Sequence, residues 1–366
     1  MSKQFFQGAL LAVAGGRAAV TGRDKGMFAY DSRTQDTVGK LVTGRTFGDV
    51  ALSPDGSRAF VVQTTPGNPS SVQIVSFPTT GGPVVSIDPG QAFQLLDLGA
   101  GNGVTRLLAA GGRLLALVVR GGRSELIEWN LSDPLNPRQL TSGVKLGGLA
   151  SHMALNSQHI VLVVGREIWR IPRSNILAGP LKTPIPTVVV VSGSSTSVLV
   201  ATETQAIITS VSVGSTKRIV ALDFATSSTA IDSKPRSNNG RAAVVVGDRL
   251  FAAFGGDQVE PLPIIGVYRI TADDLVFERS FETGAYQQDL ELGPDGRIYG
   301  ADPVEGLKVF TQAGEIVAPG EPEPAPGPTP TPVPIDLGLI GTIELGPADV
   351  TGRRAVVSGA FVPKGA

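Results

Sequence analysis

The sequence predicts an all-β protein: a seven-bladed β-propeller of four-stranded blades, then a Pro-rich linker and a short β tail. Three observations predict it. First, Gly (46) and Pro (27) punctuate a chain of 366 residues in which only 17% are charged and 5% aromatic. Val-rich runs between such breakers read as many short strands with tight turns. Second, one unit recurs about every 45 residues: an apolar strand, a tight turn, a second apolar strand. That spacing is the one expected of four-stranded propeller blades. Third, we find no amphipathic helix pattern longer than two turns in the sequence.

The clearest copy is Asp49-Val-Ala-Leu-Ser-Pro-Asp-Gly-Ser-Arg-Ala-Phe-Val-Val62, matched by Asp289-Leu-Glu-Leu-Gly-Pro-Asp-Gly-Arg-Ile-Tyr299. Pro-Asp-Gly turns have a mechanism: Pro presets φ, Asp bonds locally and Gly accepts a positive φ. Looser copies turn at Gly15-Gly16, Gly111-Gly112, Asn156-Ser157, Thr202-Glu203 and Gly247-Asp248. A third strand is expected at 27–31, 72–77, 126–129, 168–171, 219–224, 267–270 and 307–310. A fourth is expected at 38–42, 84–87, 188–191 and 277–281. The blades then fall at 1–45, 46–95, 96–147, 148–193, 194–238, 239–285 and 286–318. One blade cannot bury both of its faces, whereas a closed ring of blades buries them all.

The stretches Met27 to Val42 and Phe47 to Val62 resemble the YVTN-type β-propeller repeat, a family that includes lactonase-like seven-bladed propellers. The resemblance also covers Gln288 to Phe310; between 96 and 285 only the period remains. It implies the fold and not an activity, because propellers host unrelated functions. The Trp-Asp propeller signature is absent, since Trp129 precedes Asn130 and Trp169 precedes Arg170.

Three regions are expected: the propeller (1–318), a polyproline-II linker (319–334) and a C-terminal β tail (335–366). The linker has eight Pro in sixteen residues, and at about 3.1 Å per residue it reaches about 50 Å. The tail resembles an eighth strand pair, so an eight-bladed ring is the alternative. At this size it lies below the length at which domains stand alone, and its apolar residues need a surface. Ile335, Leu337, Leu339, Ile340, Ile343, Leu345, Val356, Val357 and Phe361 are the expected partner-docking residues, by strand addition or a groove contact.

The chemical inventory is sparse. With no Cys and two His, thiolate-metal sites and thiol nucleophiles are excluded, as is a multi-histidine site within one chain. A net charge of -1 leaves no cationic excess for nucleic acid. No Gly-x-Ser-x-Gly elbow or phosphate loop occurs. Gly99-Ala-Gly101-Asn-Gly103 lacks a βαβ context. Asp55 and Asp295 read as turn residues, Asp273-Asp274 as a loop, and His152 and His159 as strand residues that do not share a metal. Asn130-Leu131-Ser132 fits a glycosylation acceptor. Glu125, Glu128, Arg123 and Arg170 are the charged residues near strands that a hydrolase would draw on, with surface placement the default.

No stretch is long enough for a membrane-spanning helix. Lys3, Phe5 to Ala14 and Ala12-Val13-Ala14 mimic a signal peptide, but the segment reads better as the first strand pair. The expectation is therefore a non-enzymatic structural or recognition protein with no catalytic, cofactor or metal residues. Its partners would be other protein subunits and, on the exposed faces, a surface glycan or receptor. The setting would be a phage virion (tail or capsid decoration) or a bacterial surface. The alternatives are a lactonase-like hydrolase at the central funnel and a ligand-binding propeller.

Overall fold

The computed structural model describes residues 10–22, 26–41, 46–64, 71–77, 85–86, 103–141, 143–187, 189–190, 198–213, 216–232, 240, 242–255, 262–302, 306–319, 334–336, 341–351 and 354–363. Among them every regular element is a strand, arranged as seven blades on a four-stranded antiparallel plan. Blade 1 holds β1 (Leu10–Ala14), β2 (Arg17–Gly22), β3 (Gly26–Asp31) and β4 (Thr37–Leu41). Blade 2 holds β5 (Thr46–Leu52), β6 (Arg58–Thr64) and β7 (Ser71–Ser76). The short β8 (Val85–Ser86) has the sequence position of blade 2's fourth strand, but it runs parallel to β4 on the edge of blade 1.

Blade 3 holds β9 (Gly103–Ala110), β10 (Arg113–Arg120) and β11 (Arg123–Asn130). Its outer position is divided between β12 (Arg138–Gln139) and β13 (Val144–Lys145). Blade 4 holds β14 (Ala150–Leu155), β15 (His159–Val164), β16 (Glu167–Pro172) and β17 (Leu181–Pro184). Of the 188–191 segment, expected to complete blade 4, Val189–Val190 instead begins blade 5. There β18 (Val189–Val190) and β19 (Leu199–Ala201) both pair with β20 (Gln205–Val213), followed by β21 (Thr216–Asp223) and β22 (Thr229–Ile231). The outer place in blade 4 is already taken by β17, which pairs with β16.

Blade 6 holds β23 (Ala242–Val246), β24 (Arg249–Phe254), β25 (Ile264–Ile270) and β26 (Leu275–Glu282). Blade 7 holds β27 (Leu290–Leu292), β28 (Ile298–Asp302) and β29 (Gly306–Phe310), and a Phe310–Ile316 bridge marks its fourth position. The tail forms a separate antiparallel sheet of β30 (Pro334–Asp336), β31 (Gly341–Thr351) and β32 (Arg354–Pro363), with β31 in the centre.

Each blade's first strand lies at the ring's axis: β1, β5, β9, β14, β19, β23 and β27 touch in that order, and β27 touches β1. The ring therefore closes at seven, without an eighth blade. Side-chain alternation explains the packing. Successive residues on a strand point to opposite faces, and each blade face meets a different neighbour. On β6, Ala59 and Val61 enter the core shared with blade 1, whereas Phe60 and Val62 enter the core shared with blade 3. On β10, Leu114, Ala116 and Val118 face blade 2, while Leu115 and Leu117 face blade 4. Seven apolar clusters thus lie at the seven blade junctions. The second strands are apolar on both faces for this reason, and the sequence reads there as continuous Val, Leu and Ala runs.

The turns are as tight as the Gly and Pro-Asp-Gly signals require. Gly15 and Gly56 both have positive φ, 54° and 69°. A side chain on Gly15 would collide with the Asp55 backbone, and one on Gly56 with the Ala14 carbonyl. The hairpin turns of blades 1 and 2 therefore touch backbone to backbone, which only Gly permits at both positions.

Candidate functional site

The charged groups nearest the axis begin with the residue that opens both clear repeats. Asp49 Oδ2 accepts the Leu107 N–H at 2.7 Å, and Asp49 Oδ1 accepts the Val50 N–H at 3.0 Å. Asp289 repeats this with Oδ2 on the Leu11 N–H at 3.0 Å and Oδ1 on the Leu290 N–H at 3.0 Å. Each carboxylate thus ties its own blade's inner strand to that of the next blade. Their location follows from register. Each lies three residues before the pair that closes its hairpin, Leu52–Ala59 or Leu292–Ile298. His152 takes the same place before Leu155–Ile160 in blade 4, where it is buried and its Nδ1 lies 2.7 Å from the Ser151 hydroxyl.

Charge is unevenly shared between the two clasps. The Arg106 guanidinium is 3.9 Å from Asp49, whose side chain is 11% exposed. Burial pushes the Asp49 carboxyl above its usual range, and Arg106 together with the two N–H donors opposes that rise. Burial pushes Asp289 up to about 7; Glu291 and Asp49 add to the rise, while the Leu11 N–H and Arg106 oppose it. Asp49, Arg106, Asp289 and Glu291 therefore feel one another across blades 2, 3 and 7. Chemically this is a set of inter-blade clasps whose carboxyls burial raises, Asp289 to about 7. Among the described residues no group of three or more His, Asp or Glu could hold a metal ion.

A second feature is a small crevice between blades 5 and 6, with room for about one water, lined by Ser210, Lys217, Arg218, Asp232 and Phe254 among others. It sits at a bulge in β20 between Ile208 and Val211, where Ser210 has φ 56° and donates to the Gly240 carbonyl at 2.9 Å. Its charges serve local structure. Lys217 Nζ donates to Ser212 Oγ at 2.9 Å, and Arg218 donates to the Asp232 carbonyl at 2.8 Å.

The charged residues that a hydrolase would draw on do not converge. Glu128 pairs with Arg113 and Glu125 with Arg120, while Arg123 opens β11 opposite Arg120. Arg170 lies over the Phe224 ring, 4.6 Å from its centre. His152 stands opposite Val163 and His159 opposite Pro172, so the two are not paired across the hairpin. Asp55 takes the Ser53 and Ser57 hydroxyls and the Ser57 N–H, and Asp295 takes the Arg297 N–H and the Tyr299 hydroxyl. Asp274 receives the Leu275 N–H in the β25–β26 loop. Asn130 Oδ1 accepts the Ser132 N–H in a local turn. Gly99, Gly101 and Asn102 lie outside the described residues.

In the tail, register places Ile335, Ile343 and Phe361 in one row across the three strands. Leu345, opposite Gly359, and Val357, opposite Ala348, share that face, because the bulge between Leu345 and Ala348 restores the alternation. Val356, opposite Asp349, belongs to the other face. Leu337, Leu339 and Ile340 lie outside the described residues.

Sequence reading does not pick out Asp49, Asp289 and Arg106 as a group. The available signal is the identical Asp at the head of both repeats; it looks like punctuation because its partner lies on another blade.

No family model and no curated protein matches the chain. Solved structures do. Hydrazine synthase of Kuenenia stuttgartiensis aligns with a TM-score of 0.58 at 12% identity, over 86% of this chain and 96% of that one. A chain of the mitotic checkpoint complex gives 0.54 at 12%, over 85% and 92%. The WD40 propeller domain of Doa1 gives 0.52 at 11%, over 84% and 93%. At such identity these likenesses speak for architecture alone, and the chain is a seven-bladed β-propeller.

Proposed function

We propose that this chain is a non-enzymatic structural and recognition protein, in which the propeller (1–318) is a rigid platform and the tail (335–366) tethers it to an assembly across the linker (319–334). The carrying observation is the tail's division of labour. Register gathers Ile335, Ile343, Leu345, Val357 and Phe361 on one face of a sheet that is not one of the propeller's blades. A three-stranded sheet with one apolar face needs a covering layer. Two further features support the reading. The ring closes through its own seven cores, and the axial carboxylates are occupied by backbone N–H groups. The setting we infer is a virion component, tail or capsid decoration, or a bacterial surface component. Deleting 319–366 should leave a propeller with an intact cooperative melt that no longer enters the assembly. Normal incorporation of the shortened chain would refute the tether.

A second reading, hydrolysis of a lactone-like substrate at the axial opening, draws on Asp289, an axial carboxyl that burial pushes up to about 7. Asp289→Asn would abolish such turnover with the fold retained. Equal rates in the two proteins would end that reading.

A further inference from the structure

We infer that the ring opens locally at one place, the junction of blades 7 and 1, and that Asp289 is the latch that holds it shut. The inference stands apart from the tether and from where the tail docks.

Chain order singles out this junction. The other six join blades that follow one another, so the polypeptide itself crosses them. Further ties are added there. β8 returns from blade 2 to the edge of blade 1, and β18 leads from blade 4 into blade 5. Arg113 donates to the Arg173 carbonyl between blades 3 and 4, Gln205 to the Thr271 carbonyl between blades 5 and 6, and Arg279 to the Gln312 carbonyl between blades 6 and 7. Blades 1 and 7 are the first and last in the chain, and among the described residues they share no strand. Beyond an apolar core, their junction carries the Leu11 N–H on Asp289 Oδ2 at 3.0 Å, the Gln35 amide on the Val317 carbonyl at 2.9 Å and the Tyr299 hydroxyl on the Ser32 carbonyl at 3.2 Å. Of these bonds the first alone has an ionisable acceptor. Local opening is drawn from the least tied part of a fold, and parting blades 7 and 1 requires no chain connection to yield.

The charges around Asp289 decide when the latch lets go. β27 packs against β1, β23 and β28. β1 and β23 hold no ionisable residue. β28 brings Tyr299, which stands opposite Glu291, and Asp302, which receives the Gln287 amide at 3.0 Å. Glu291 lies two residues along β27, and Asp49 and Arg106 act from β5 and β9. Asp49, Asp289 and Glu291 are thus set against the guanidinium of Arg106. With the junction shut, burial first and then Glu291 raise the Asp289 carboxyl to about 7. With it open, water reaches the carboxyl, which returns to the ordinary Asp range of about 4. Opening therefore goes with loss of a proton. It is rarest in acid, rises by up to about tenfold per pH unit between about 4 and about 7, and levels off above. Asp49 makes the same kind of clasp between blades 2 and 3. The chain crosses that junction, so the Asp49 clasp stays made while blades 7 and 1 part.

The test uses the full chain, whose lack of Cys makes each introduced thiol the sole reporter. Val309→Cys and Val20→Cys place one on either side of the seam, and Val62→Cys places one in the core between blades 2 and 3; all three positions are buried. Alkylation by iodoacetamide is followed by intact mass. Each rate is divided by that of the same protein in denaturant at the same pH, which removes the thiol's own titration. The seam thiols should react at least about tenfold faster than the thiol of Val62→Cys. Their rate should rise at least about tenfold from pH 5 to pH 7, and Asp289→Asn should flatten that rise. Asp49→Ala should change the seam rates less than about threefold, because its clasp is not broken in the opening. The seam reporters lie on different blades, so either suffices if the other perturbs its own site. Equal labelling of all three would mean that the ring opens only by unfolding as a whole. Seam labelling indifferent to pH or to Asp289→Asn would mean that another group holds the junction. Either result overturns the inference.

Discussion

Blades 2 and 7 carry nearly the same sentence of sequence and build nearly the same hairpin, yet they secure it differently. In blade 2 the turn carboxylate of Asp55 is held by the Ser53 hydroxyl at 2.5 Å. In blade 7 the residue at Ser53's place is Gly293, and Asp295 is held by the Tyr299 hydroxyl at 2.7 Å. The aromatic ring occupies the room a side chain at 293 would need, since an added Cβ would lie 2.3 Å from Tyr299 Cε2. The clasps differ too. The strand that meets Asp49 brings Arg106 beside Leu107, whereas the strand that meets Asp289 has Leu10 beside Leu11. A motif fixes a backbone; the neighbouring blade fixes its electrostatics.

The largest expected effect is on pH. A carboxyl raised to about 7 in the fold favours its protonated form there, while the unfolded chain ionises near the ordinary Asp value. Stability from this group is therefore present at low pH and lost as pH rises from about 4 through about 7. The loss is on the order of 4 kcal/mol, because each tenfold difference in proton affinity between the folded and unfolded chain is worth about 1.4 kcal/mol. Chemical denaturation from pH 4.5 to 8.5 should show Asp289→Asn with a markedly flatter profile than the parent. Parallel profiles would assign the slope elsewhere.

Next comes Gly293→Ser, which writes blade 2's residue into blade 7. It should cost about 2–3 kcal/mol through overpacking against buried Tyr299. The double change with Tyr299→Phe should not recover it, because the ring remains. A melt unchanged by Gly293→Ser would show that the ring shifts freely.

Removing the clasps comes next. Asp49→Ala strands the Leu107 N–H and should cost about 1–3 kcal/mol. Asp289→Ala strands the Leu11 N–H but also removes a charge that burial disfavours, so it should cost less at pH 8 than at pH 5. A cost independent of pH would mean that the carboxyl is not raised in the fold. The smallest effect is Arg106→Gln, about 1 kcal/mol or less for an ion pair at this distance. It should raise the Asp49 carboxyl further, visible as a steeper loss of stability with rising pH.

The ring is readable because its signals are local. Gly15-Gly16 and Pro54-Asp55-Gly56 announce turns through backbone conformations few other residues accept, and alternation on β6 and β10 follows from the period of a strand. What escapes depends on neighbours far along the chain. Within the segments 84–87 and 188–191, which read as strands, Val85–Ser86 and Val189–Val190 belong to other blades than their sequence positions suggest, since two residues of β structure carry no mark of their partner. The pairing of Asp289 with Leu11 spans 278 residues. No spacing rule reaches that far. In the tail, Ile343 and Leu345 fall on one face by register, whereas the consecutive Val356 and Val357 fall on opposite faces, a split that a list of apolar residues does not carry.

The seam between blades 7 and 1 shares no strand among the described residues. It is sealed by Leu11, Val20, Phe28 and Tyr30 against Tyr299, Leu307, Val309 and Val317, with Gln35 donating to the Val317 carbonyl. During synthesis blade 1 therefore emerges with half of its apolar surface bare. That surface stays uncovered while five further modules are made. Among the described residues its cover is blade 7, so the ribosome must deliver almost the whole polypeptide before the first-made piece meets the partner that shields it.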